Sequence, residues 1–290
     1  MKETFDSKPA GGKNYDSDLA CERRRIDPSI DGVEYRRFFS DGFIWERVRI
    51  SSDEGASAIG RPKGSYDTLT LGKAHLLDEG EEEDAASEIA KALAIMLERC
   101  GADCKRILVV GLGNADLTPD SIGPKSASGV NATMHIKSHD RAAFDALECS
   151  EIAVIIPGVM GQSGMEASDI ILGVCKKISP DAVIAIDSLA SRSPKRLGTT
   201  VQISNTGIFP GSGIGNRRSP ITEEELGVPV IAIGVPTVIN ARLLCSGDGE
   251  ELWERDERED LYVSPREIDE ITNACSRIIA RGINQAFGIL

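Results

Sequence analysis

Short apolar runs alternate with amphipathic stretches over most of this 290-residue chain. Ile107–Gly111 (ILVVG), Ile152–Pro157 (IAVIIP), Ala182–Asp187 (AVIAID) and Val228–Val235 (VPVIAIGV) are short and rich in β-branched residues. Runs of this kind predict strands buried on both faces. Thr200–Ser204 (TVQIS) alternates apolar and polar positions, which predicts a further strand. Between and after these runs the spacing turns helical. Glu83–Cys100 carries Ile89, Leu93, Met96 and Leu97 on one face behind a first turn of acids; Met165–Ile178 and Pro265–Phe287 are the other two helical segments. Strands alternating with helices predict an α/β fold, a doubly wound sheet with helices on both faces. Upstream, Val33–Ile50 places Phe38 and Phe39 before Ser40-Asp41-Gly42 and Phe43, Ile44 and Trp45 after it, the signature of a hairpin. Residues 33–82 therefore read as a small β-rich N-terminal appendage. Residues 1–14 are polar and contain two glycines, and read as a leader, leaving residues 15–290 for one α/β domain.

Composition agrees with buried parallel strands. Hydrophobic residues make up 41% of the chain but aromatic residues only 4%. The net charge of −13 repels phosphate, so direct nucleic-acid binding is disfavoured. Eight acids against Arg255 and Arg258 between Ser246 and Asp260 give a local net charge of −6, and residues 246–264 are expected to be an acidic surface excursion. Seven cysteines, an odd number without framework spacing, read as reduced cytoplasmic thiols. Cys100 and Cys104 have no second pair to complete a zinc site. No apolar h-region opens the chain, and no apolar run is long enough to span a bilayer.

Ligands of open α/β sheets bind beyond the carboxyl ends of the strands, so acids there carry the most chemistry. Asp187 ends AVIAID, and Asp120 lies in the loop after ILVVGLG, 67 residues earlier in the chain. Two carboxylates in one crevice share a proton, one serving as base toward water and the other as acid toward the substrate. Asp116 competes with Asp120 for this role, and an aspartate after a strand also serves as a helix cap or turn former. Other motifs fail on their own chemistry. A dinucleotide fingerprint starting at Gly111 needs a glycine where Asp116 stands. Asn205-Thr206-Gly207 lacks the acid of a D-T-G site, and Met165 replaces the second glycine of a nucleophile elbow. His135 and His139 are four residues apart, a metal-ligand spacing on a helix, but their surroundings read as strand-like. Gly207–Arg218 is a glycine-rich loop in which Arg217 and Arg218 suit an anion.

Taken in order, GLGNADLTPDSIGP, PGVMGQSGMEASDII, AIDSLASR, QISNTGIFPGSGIGNRR and GVPVIAIGVPTVINA resemble the signatures of the germination proteases of spore-forming bacteria. Asp18–Glu22 (DLACE) resembles the start of that family's mature chain. The resemblance covers about residues 15–241. It implies an atypical aspartic-type endopeptidase that hydrolyses small acid-soluble spore proteins during spore germination, with a fold similar to hydrogenase-maturation proteases. It implies catalytic aspartates in T-P-D-x-x-G-P and A-I-D-x-L-A, here Asp120 and Asp187, and so chooses Asp120 over Asp116. Asn114, His135, Arg192, Thr206 and Gly207 are the expected substrate-binding positions. The resemblance further implies a self-processing zymogen without cofactor, a homotetramer, and a cytoplasmic place in the forespore or spore core, with no membrane or nucleic-acid partner. A metal-dependent peptidase of the hydrogenase-maturation type, a metal bridging the acids with help from His135, is the alternative. The chain departs from the family pattern at Asp16-Ser17, where Arg-Thr is usual, and at Asn205, where an aspartate is usual; Ala115, Asp116 and Met134 are also atypical.

Overall fold

The computed structural model describes residues 17–22, 29–102, 104–211, 218–244 and 261–289. The expected leader, Asp16, Cys245, most of the acidic excursion and the Ser212–Arg217 part of the glycine-rich loop lie outside them.

Among the described residues nine strands form one sheet: β1 (Val33–Ser40), β2 (Phe43–Ile50), β3 (Gly64–Thr70), β4 (Arg106–Gly111), β5 (Glu151–Ile155), β6 (Ala182–Ser191), β7 (Thr200–Ser204), β8 (Val230–Asn240) and β9 (Tyr262–Val263). Their order is β1-β2-β3-β7-β8-β6-β4-β5, with β9 paired to the far end of β8. β5, β4, β6 and β8 are parallel neighbours. These are the four continuous apolar runs, and Ile107, Leu108, Val109, Val110 and Val183–Ile186 are completely buried. Each such Val or Ile contributes about 1.5–3 kcal/mol by leaving water.

β7, β3, β2 and β1 continue the same sheet as an antiparallel wing. The β-rich N-terminal segment is thus hydrogen-bonded into the main sheet. Its hairpin turns at Asp41 and Gly42, both at positive φ (45° and 88°), a turn whose twist matches the strands it joins.

Helices cover both faces. On one, α2 (Glu79–Arg99) and α9 (Ile268–Ala286) pack Ile89, Leu93, Met96, Ile278, Ile279 and Ile283 over Ile107, Ile184 and Ile233. The first-turn acids of α2 serve a capping box: the Asp78 carboxylate accepts from Glu81 N–H at 2.9 Å while the Glu81 carboxylate accepts from Asp78 N–H at 3.0 Å. On the other face, α7 (Ala167–Ile178) places Ile171 and Cys175 against Leu108, Val110 and Val183. Short helices complete the chain: α1 (Asp53–Ile59), α3 (Ile122–Ser128), α4 (Met134–His139), α5 (Arg141–Ala146), α6 (Met160–Ser163) and α8 (Glu223–Leu226). The strand-like reading of the His135 region is corrected here. Met134–His139 is one turn and a half of helix, because Ile136 N–H and Asp140 N–H bond back to Thr133 and Ile136 carbonyls.

A third apolar cluster seats the N-terminal segment. Leu19, Ala20 and Cys21 are fully buried against Val48, Ile50, Tyr66 and Leu189. The segment's polar groups are satisfied by the sheet. Asp18 N–H donates to the Ala190 carbonyl at 2.8 Å, and Ala20 N–H to Gln202 Oε1 at 2.9 Å. The Glu22 carboxylate accepts from Ser191 Oγ, Arg192 N–H and Ser193 N–H at 2.8–3.0 Å.

Candidate active site

Asp187 was expected at a strand terminus. The strand instead runs on to Ser191, because β8 extends to Asn240 and keeps pairing with β6. β4 ends earlier: Gly111 pairs with Ile186, and Leu112 N–H donates to the Ile186 carbonyl at 2.8 Å. Asp187 is therefore the first β6 residue beyond the end of its parallel neighbour. It opens into the crevice where open α/β sheets bind ligands.

The loop after β4 returns across this crevice. Thr118–Asp120 forms a single 3₁₀ turn, with Pro119 at a helical position that needs no N–H donor. Gly113 sits at φ 109° beneath the turn, where a Cβ would lie 2.1 Å from the Asp120 carbonyl oxygen. Asp120 Oδ2 accepts from Asn114 N–H at 2.7 Å. Asp120 and Asp187 consequently line one cleft of about 380 Å³. Its apolar wall includes Leu112, Leu117, Val159 and Val238, and Arg218 brings a cation to it. A smaller recess continues past Asp187 to Thr206 and Gly207.

The two carboxyls differ in electrostatics. Asp187 is only 7% exposed, and burial pushes its carboxyl well above the usual carboxylate range. The charges of Asp120 and, more weakly, Asp18 push it the same way; Ser188 N–H, 2.8 Å from Asp187 Oδ1, and Arg218 pull against them. Burial also raises the half-buried Asp120, opposed by the Asn114 N–H and by Arg218. The Asp120 charge thus works together with burial against ionisation of Asp187.

The remaining expected positions divide. Asn114 supplies the backbone donor to Asp120, while its side-chain oxygen accepts from Asp116 N–H and Gln162 Nε2, both at 3.0 Å. Thr206 and Gly207 line the recess beside Asp187. Arg192 lies outside the lining of both cavities; its N–H is tied to Glu22. His135 is exposed on α4 and also outside the lining, its carbonyl accepting from His139 Nδ1 at 2.8 Å. Asp116 is exposed and likewise outside it. Asn205 Oδ1 accepts from Ser65 N–H at 2.8 Å, joining β7 to the start of β3, so its side chain serves the sheet. Among the described residues no group of three or more His, Cys, Asp and Glu side chains is placed to hold a metal ion.

Sequence reasoning assigned no site role to Asp18, Ser188 or Thr237, all of which line the cleft. Asp18 is 8% exposed, bridges to Arg61 at 2.5 Å and accepts from Ala190 N–H at 2.9 Å. Its placement depends on the N-terminal segment threading back over the sheet, a long-range contact with no local pattern. Ser188 was detectable as the neighbour of Asp187.

Comparison with known proteins meets this geometry from another side. Residues 14–250 match the family described as "Germination protease". A germination protease of Caldanaerobacter subterraneus is 38% identical across 93% of each chain. One from Clostridium perfringens is 36% identical over 94% of this chain and 95% of its own length. A third, from Priestia megaterium, is 45% identical over 78% of this chain and 63% of its own length. Among solved structures, a [NiFe] hydrogenase maturation protease, HycI from Thermococcus kodakarensis, aligns with 65% of this chain and 98% of its own at 17% identity and a TM-score of 0.37. No helix among the described residues is long and apolar enough to cross a membrane. A family match over most of the chain, and relatives matched nearly end to end, place the chain among the peptidases: it belongs to the germination protease family.

Proposed function

We propose that this chain is an endopeptidase that cleaves small acid-soluble spore proteins during spore germination, with Asp120 and Asp187 as its acid–base pair. The observation that carries the reading is the meeting of these two carboxyls in one cleft, each with its acidity weakened by burial. Asp187, the more deeply buried, holds a proton. Asp120, held by the Asn114 N–H and with the Arg218 charge opposing its burial, carries the charge. In the reaction, Asp120 takes a proton from a water as the water oxygen bonds to the substrate carbonyl carbon. Asp187 donates its proton to the carbonyl oxygen. Collapse of the tetrahedral intermediate breaks the C–N bond as the proton held by Asp120 passes to the leaving amine; the hydroxyl proton returns to Asp187. The apolar cleft wall excludes bulk water and strengthens these charge interactions. A metal bridging the pair would find two carboxylates and, among the described residues, no cluster of three or more His, Cys, Asp or Glu side chains to hold it.

The relatives' shared name, Germination protease, supports a role in germination; synthesis as a self-processing zymogen in the forespore and assembly as a homotetramer belong to the same proposal. The test is hydrolysis of a purified small acid-soluble spore protein by folded Asp120→Asn and Asp187→Asn variants. A fall of about 10²–10⁴-fold in each is expected, the usual worth of a positioned acid or base. Near-normal turnover in either would remove that residue from the mechanism.

A further inference from the structure

The β6–β8 ladder slips once. Leu189 pairs with Pro236 and Ala190 with Val238, leaving Thr237 as an extra residue on β8. A bulge of this kind beside a site re-aims a side chain. Thr237 is completely buried and lines the cleft, yet its Oγ1 has no hydrogen-bond partner among the described protein groups. Ser188 Oγ, on the adjacent strand and next to Asp187, is in the same condition: buried, cleft-lining and without a partner. An unpaired buried hydroxyl costs stability, and the strand does not need one here. Thr237 is flanked on β8 by Pro236 and Val238, with Val235 and Ile239 one residue further out, and a valine would fill nearly the same volume with the same β-branched backbone preference.

A hydroxyl donates one hydrogen bond and can accept up to two, with little geometric demand. A peptide group offers the complementary carbonyl and N–H. Two such hydroxyls lining the cleft of an acidic pair fit a main-chain peptide group of any sequence, whereas a charged substrate group would call for a charged partner. We propose that Thr237 Oγ1, together with Ser188 Oγ in the same cleft lining, is a substrate-positioning group that hydrogen-bonds the main chain of a peptide bound in the cleft of Asp187. This rests on the reading of Asp187 as an acid acting on a peptide bond.

The full-length chain carrying Thr237→Val, Thr237→Ser or Ser188→Ala would be assayed for kcat and KM on a purified small acid-soluble spore protein, and for Tm. The expected result is a fall in kcat/KM of about 10- to 100-fold for Thr237→Val, with Tm equal to or above that of the parent and most activity kept by Thr237→Ser. A smaller fall in the same direction is expected for Ser188→Ala. Full activity in Thr237→Val overturns the assignment. So does a loss of activity accompanied by a lowered Tm, the mark of a hydroxyl that serves the fold. The failures are separable. An inactive Asp187→Asn beside a fully active Thr237→Val overturns this inference alone; a fully active Asp187→Asn overturns the acid–base reading and this inference with it.

Discussion

Replacing Gly113 by alanine tests whether the β4 loop positions Asp120. The residue sits at φ 109°, on the side of the backbone map that a Cβ disfavours, at a cost of about 1–3 kcal/mol. The new Cβ would also lie 2.1 Å from the Asp120 carbonyl oxygen and 3.0 Å from its Oδ1. That contact is with backbone, so the whole Thr118–Asp120 turn must retreat by roughly 1 Å, and a misplacement of this size at a reacting group costs about 10²-fold in rate. Gly72 is the control. It too has a positive φ, 73°, but a Cβ there meets nothing within 4 Å. Thermal melts and kcat/KM on the protein substrate would be measured for both variants. Both should lose stability by a similar backbone term, and only Gly113→Ala should lose about two orders of magnitude in kcat/KM while still folded at assay temperature. A folded Gly113→Ala with parental activity, or an equal activity loss in Gly72→Ala, would refute the reasoning.

Three further outcomes are expected. Arg196 is 7% exposed and pairs with Glu46 at 2.5 Å, with Glu22 at 3.8 Å. Arg196→Met strands these buried acids and should cost about 3–5 kcal/mol in denaturant unfolding. Glu22→Ala removes the acceptor for Ser191 Oγ and for the Arg192 and Ser193 N–H groups; hydrogen exchange or limited proteolysis should show the 17–22 segment released before global unfolding. The Asp187 carboxyl binds its proton more tightly in the folded chain than in the unfolded one, so the folded state holds the extra proton as pH rises from the ordinary carboxylate range to the raised value. Stability should fall with pH across that window, and Asp187→Asn should raise Tm at neutral pH and lose its advantage in acid.

Local pattern located the parallel sheet well, since β4, β5, β6 and β8 are continuous apolar runs that can only be buried. It read Asp187 as a strand end because polarity rises there; the pairing of Ser188–Ser191 with β8 is a long-range fact. The hairpin was legible in Ser40-Asp41-Gly42, but its union with the main sheet depends on β3 meeting β7, 130 or more residues later. Helical spacing at His135 was outweighed by β-branched neighbours, and tertiary packing on β5 decided for a helix. At the site, the two aspartates stood out as acids after strands. Asp18 did not, since only the folded N-terminal segment brings it to the cleft. Thr237 did not either, since it lies beyond the Val228–Val235 run and the slip at it exists only in the pairing of β8 with β6.

The central claim is that Asp120 and Asp187 act as one coupled acid–base pair. Its most direct test is a carbon-13 titration of the Asp187 carboxyl by NMR, in the parent and in Asp120→Asn. The account predicts that Asp187 ionises well above the ordinary aspartate range in the parent and at a lower pH once the Asp120 charge is gone. An Asp187 that titrates in the ordinary range in both proteins would contradict it.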